Sequence, residues 1–120
     1  MIQPRRIDPT IRDYPEEFTV WALEGRSGRY LAIRDRRFPG RIPIRFFTSD
    51  YDASRVLEAI LEVRPELADH GLITIQVRLI DALRKIAADK TPPRPDSYVV
   101  HTPSEVFDFI SQLRQKVSGE

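Results

Sequence analysis

Apolar and polar side chains alternate along residues 42–47 (IPIRFF), where Ile42, Ile44 and Phe46 stand in one phase and Pro43, Arg45 and Phe47 in the other. A period of two is that of a strand with one buried face. Pro43 has no backbone N–H, which confines it to a strand start or a sheet edge. Thr48, Ser49, Asp50 and Asp52 come next. Their short polar side chains accept hydrogen bonds from the free N–H groups of a helix start, and the two carboxylates suit its positive end. Ala53, Val56, Leu57, Ile60 and Leu61 then recur at helical spacing. Arg64 precedes Pro65, and the residue before a proline disfavours the α region, so the helix is predicted to stop there.

The same reading extends along the chain. Residues 1–15 carry Pro4, Pro9 and Pro15 among charges and read as an extended N-terminal arm. Residues 17–23 and 29–34 read as two strands joined by a glycine turn at Gly25 and Gly28. A loop over residues 35–41 turns at Pro39-Gly40 and leads into the IPIRFF strand. After the first helix, residues 65–71 read as a helical turn closed by Gly71 in the left-handed region. Residues 72–79 alternate as a strand, and residues 79–90 have helical spacing at Leu79, Leu83, Ile86 and Ala87. Three prolines make residues 91–96 a stiff loop before a short strand at 97–101. Thr102-Pro103-Ser104-Glu105 is a capping box with proline at the first helical position. Val106, Phe109, Ile110, Leu113 and Val117 form the buried stripe of the last helix.

The predicted order is β-β-β-α-β-α-β-α. This is an α+β fold with one mixed sheet whose first three strands form an antiparallel meander. Residues 16–120 are expected to make a single domain, with residues 1–15 as its arm. Leu57, Ile60, Ile75, Val77 and Ile110 are expected to share one core.

Composition changes this picture little. The chain has 120 residues, 41% of them apolar and 31% charged, the ordinary balance of one globular domain. It has no cysteine, which excludes thiolate metal sites and cysteine nucleophiles and fits a cytoplasmic setting. The first ten residues lack the apolar run of a signal peptide, and no stretch has the length of a membrane span, so no membrane partner is expected.

Ile42-Pro43-Ile44-Arg45-Phe46-Phe47-Thr48-Ser49, in which a strand enters a helix after a Thr-Ser pair, resembles an element of SseB-like domains. The strand-to-helix run from Ile75 to Leu83 looks like that family's next unit, and Tyr98 to Pro103 sits where it carries an apolar strand ending in Asn-Pro. Here the strand ends in His101-Thr102-Pro103 instead. The resemblance covers about half of the chain. It implies a small α/β module, linked in some members to secretion, and carries over no catalytic residues.

Candidate chemistry is sparse. The two histidines, His70 and His101, have no second histidine at metal-ligand spacing, so neither a metal nor a cofactor is expected. Asp50 and Asp52 have the spacing of hard-cation ligands, but both serve the helix start. No nucleophile elbow and no glycine-rich phosphate loop is present, so no catalytic residue is expected.

Charge is uneven. Residues 25–45 hold seven arginines against one acid, and residues 48–70 hold six acids against two arginines. Arg34, Arg36, Arg37, Arg41 and Phe38 around the Pro-Gly loop are therefore the partner-binding candidates. The leading expectation is a cytoplasmic, non-enzymatic protein-interaction module that forms a homodimer or meets another protein. The second is an RNA- or DNA-binding accessory domain, with Tyr30 and Phe38 stacking on bases; a net charge of +1 disfavours it. The third is a small-molecule or enzymatic pocket near His101 and Asp50.

Overall fold

The computed structural model describes residues 4–7, 14–33, 42–89, 95 and 97–118, with side chains of the last helix described through Gln115. The fold is α+β, with helices on both faces of a five-stranded mixed sheet. The strands are Arg5–Arg6 (β1), Thr19–Glu24 (β2), Pro43–Phe47 (β3), Ile73–Arg78 (β4) and Ser97–His101 (β5), in spatial order β1-β5-β3-β2-β4. β3 and β5 run parallel with Pro43 opposite Ser97 and Phe47 opposite His101, and the other neighbours are antiparallel.

β3 departs from the single buried face expected of it. All five of its side chains are buried, because it lies at the centre of the sheet and helices cover both of its faces. Ile44 and Phe46 face one layer, with Val20, Ala22, Tyr98 and the helix Leu79–Ala88 (α2). Phe47 faces the other, with Leu23 and the helices Asp50–Val63 (α1) and Pro103–Ser118 (α3), which pack on each other.

The single shared core is accordingly corrected to two, separated by the sheet. Leu57, Ile60 and Ile110 belong to the α1–α3 layer, whereas Ile75 and Val77 pack, only partly buried, on the α2 layer. Their strand sits at the sheet edge, where covering is incomplete.

The first expected strand is β2, but the antiparallel meander expected of the first three strands is not formed. β2 and β3 pair directly at Trp21–Phe47 and Ala22–Phe46. Residues 29–33 form no strand of their own. They supply single bridges, Tyr30 to Glu24 and Ala32 to Ile44, where the two longer strands diverge. The Leu31 amide donates to Leu23 O at 2.8 Å within this wedge. Arg5–Arg6 of the arm adds a short edge strand against Tyr98 and Ser97. The Pro-Gly loop, residues 91–94 and 96 of the proline loop and residues 8–13 of the arm lie outside the described residues.

Local signals set the helix ends. Ser49 caps α1 by accepting from the Asp52 amide at 3.1 Å. Pro65–His70 forms a 3₁₀ turn that Gly71 closes at φ 65° and ψ 39°, a conformation glycine adopts without steric cost. α3 has the reciprocal capping box: the Thr102 amide donates to Glu105 Oε1 at 2.9 Å, and the Glu105 amide to the Thr102 hydroxyl at 3.5 Å. Thr102→Ala is therefore expected to cost about 1 kcal/mol. A urea midpoint equal to that of the wild type would show the box to be dispensable.

Candidate functional site

Two features of this architecture stand out, one on the surface and one inside. The surface feature is the outer side of β4. Among the described residues no strand pairs with it, so the outward backbone groups of Ile73–Arg78 join no further ladder, as in any edge strand. The strand carries no proline or lysine, and its one charge is Arg78 at the end, held by Asp81 at 2.7 Å. Ile73 is 54% exposed beside this edge. On the opposite face the Thr74 hydroxyl donates to Asp50 Oδ1 at 3.0 Å, which ties the start of α1 to the strand. The next residue, Tyr51, is 70% exposed.

The inside feature lies between the sheet and the α1–α3 layer. Arg45 is 2% exposed and His101 is completely buried. In the parallel register His101 stands opposite Phe47, two residues beyond Arg45 on the same face, within diagonal reach of a long side chain. Arg45 Nη1 lies 3.2 Å from His101 Nε2. The imidazole is stacked between Phe47 at 5.6 Å and Phe109 at 5.4 Å, with ring planes 14° and 13° from parallel. The guanidinium carbon also sits 4.5 Å from the Phe109 centroid, a cation over an aromatic face. Asp52 on α1 is buried as well, and its Oδ2 has no hydrogen-bond partner among the described residues.

The sequence candidates are dispersed. Arg34, Arg36, Arg37, Phe38 and Arg41 lie outside the described residues. Of the other arginines between residues 25 and 45, Arg26 is exposed, Arg29 pairs with Asp89 at 3.1 Å and Arg45 is interior. Tyr30 packs edge-on to Phe46 at 6.1 Å and carries the Lys85 ammonium 4.6 Å from its ring. Burial, with Glu24 and Asp81 adding, raises its phenol above the ordinary range. Tyr98, buried in the same layer, is pushed up to about 12 by burial first and by the neighbouring Tyr14, with Arg5 pulling the other way.

His101 and Asp50 do not share an open pocket wall. The histidine is enclosed by rings, while Asp50 is exposed and accepts from Ser54 at 3.3 Å and from Thr74. His70 is exposed at the end of the 3₁₀ turn, and its carbonyl accepts from the Arg26 amide at 2.8 Å.

Among the described residues no group of three potential metal ligands converges, and no helix is long and apolar enough to cross a membrane. The buried arginine was the feature that the alternating pattern missed. One signal for it was present, since Arg45 interrupts an otherwise apolar run and such runs mark strands covered on both faces. Neither a family model nor a curated protein matches the chain.

Proposed function

We propose that the chain is a non-enzymatic protein-interaction module that pairs with a second copy of itself through the outer edge of β4. The observation that supports this reading is the six-residue edge strand, which carries no lysine or proline and, among the described residues, pairs with no strand on its outer side, so it lacks these devices that natural sheets use to blunt such edges. Strand addition uses main-chain hydrogen bonds for affinity and alternate side chains for selectivity.

A two-fold pairing centred on Ile75 is self-complementary. It sets Ile73 of one copy opposite Val77 of the other on the apolar face, and Thr74 opposite Gln76 on the polar face. One strand pair is too small for a stable dimer, which buries roughly 1,200–2,000 Å². Tyr51, exposed at the start of α1 beside the strand, supplies further apolar surface. We place this module in the cytoplasm, in keeping with the cysteine-free sequence. The likeness to SseB-like domains, small modules of this kind, belongs to the same proposal.

The test is Ile73→Lys, followed by sedimentation. Wild type is expected at twice the chain mass and the variant at the single mass. Because Ile73 is more than half exposed, the folding midpoint should change by no more than about 0.5 kcal/mol equivalent. A monomeric wild type would remove the reading. Comigration of the wild type with a mixed oligonucleotide pool would favour the nucleic-acid alternative instead.

A further inference from the structure

The bond between Arg45 and His101 determines which protonation state of the histidine the fold accepts. A guanidinium carries donors only and stays charged throughout the accessible pH range. Its Nη1 can therefore bond His101 Nε2 at 3.2 Å only if that nitrogen presents a lone pair. The imidazole is then neutral, with its proton on Nδ1. Protonating Nε2 would set one N–H against another and place two positive charges side by side in a layer closed off from water.

Two of the elements that enclose this layer bring buried charged groups. β3 brings Arg45 and α1 brings the buried carboxylate of Asp52, whereas Glu105 of α3 is turned to the exposed helix cap, where its Oε1 accepts from the Thr102 amide. The buried Asp52 favours positive charge in the layer, and Arg45 supplies it, lying against the Phe109 ring at 4.5 Å. His101 cannot take a proton on Nε2 and keep Arg45.

We propose that His101 is a proton-sensitive latch holding α3 to the sheet. In the neutral form it accepts from Arg45 and stacks on Phe109, so one side chain links β3, β5 and α3. Acidification withdraws the acceptor and loosens that link. The direction follows from linkage. An imidazole in the unfolded chain takes up its proton near pH 6.5, about the free value, and the folded chain refuses it. The unfolded state therefore binds more protons below that pH. The latch contributes fully above it and is lost as pH falls.

The chain isolates the effect well. It has two histidines and no cysteine, so between about pH 7.5 and about pH 5.5 the side chains that ordinarily change charge are His70 and His101.

The experiment is urea unfolding at those two pH values for wild type, His101→Gln and His70→Gln, with nitrogen NMR of the imidazoles of the folded wild type. For wild type the folding equilibrium constant is expected to fall by up to about tenfold, the limit for one excluded proton one pH unit below the free value. His70→Gln should keep that loss. His101→Gln should lack it, because an amide oxygen accepts from Arg45 at either pH. At about pH 7.5 the spectrum should show His101 neutral, with its proton on Nδ1. A pH-independent wild type, an undiminished loss in His101→Gln, or a proton on Nε2 would overturn the proposal. Should His101→Gln fail to fold, His70→Gln decides: a retained loss supports the latch, and a vanished loss assigns the effect to His70 and overturns it.

Discussion

Phe109→Ala is expected to cost about 3–5 kcal/mol, the range for emptying a buried aromatic site. The ring is 2% exposed, and it roofs His101 while offering its face to the Arg45 guanidinium. Truncation therefore leaves a cavity and also strips a buried cation of an aromatic face. A domain of this kind has a total stability of only about 5–15 kcal/mol, so the variant should melt early, with a clear fall in urea midpoint. Phe109→Leu restores much of the volume without the π face. The difference between the two variants measures packing, and the shortfall of Phe109→Leu from wild type, of order 1 kcal/mol, measures stacking and cation–π attraction. A loss below about 1 kcal/mol in Phe109→Ala would mean that α3 does not press on the sheet.

On the opposite face Phe46→Ala should be equally costly, about 3–5 kcal/mol, for a different set of contacts. Phe46 is completely buried and meets Tyr30 and Tyr98 edge-on, with ring centroids 6.1 and 6.2 Å apart and planes at 69° and 65°. α2 closes this layer with Leu79, Leu83 and Ile86. The two phenylalanines belong to separate clusters divided by the sheet. Their milder variants, Phe46→Leu and Phe109→Leu, should therefore combine additively to within about 0.5 kcal/mol. A larger coupling energy in that cycle would show that the two layers respond as one and that the sheet transmits strain between them.

The arrangement also explains how an interior with a buried arginine and histidine can coexist with an ordinary composition. Arg45 adds no net surface charge, because its head lies under α3. The arginine-rich stretch that stands out in the sequence is consequently less uniform in space than in order. Arg45 is interior, and Arg29 is spent on Asp89. The acidic run on α1 is likewise partly engaged within the chain, through Arg114 on Glu62 at 3.3 Å and Thr74 on Asp50.

Features that depend on a few neighbouring residues were legible in the sequence. Ser49 at the start of α1, Pro65 after its end, Gly71 in the left-handed region and the Thr102–Glu105 box are each satisfied within about five residues, so their chemistry is local. The α+β class followed from the succession of such elements. Alternation along a strand says that its two faces differ. It does not say which strand lies beside it. The parallel pairing of residues 43–47 with 97–101 therefore had to come from the tertiary structure, and with it the meeting of Arg45 and His101. The same holds for β4, whose pattern suits an interior or an edge position and which is an edge strand because, among the described residues, β2 is its one neighbour. Residues 29–33 alternate as a strand should, yet make single bridges, because β2 and β3 already pair with each other and leave only a wedge between them. Neighbour choice is a long-range competition for backbone partners and for the two faces of one sheet, and only the folded chain decides it.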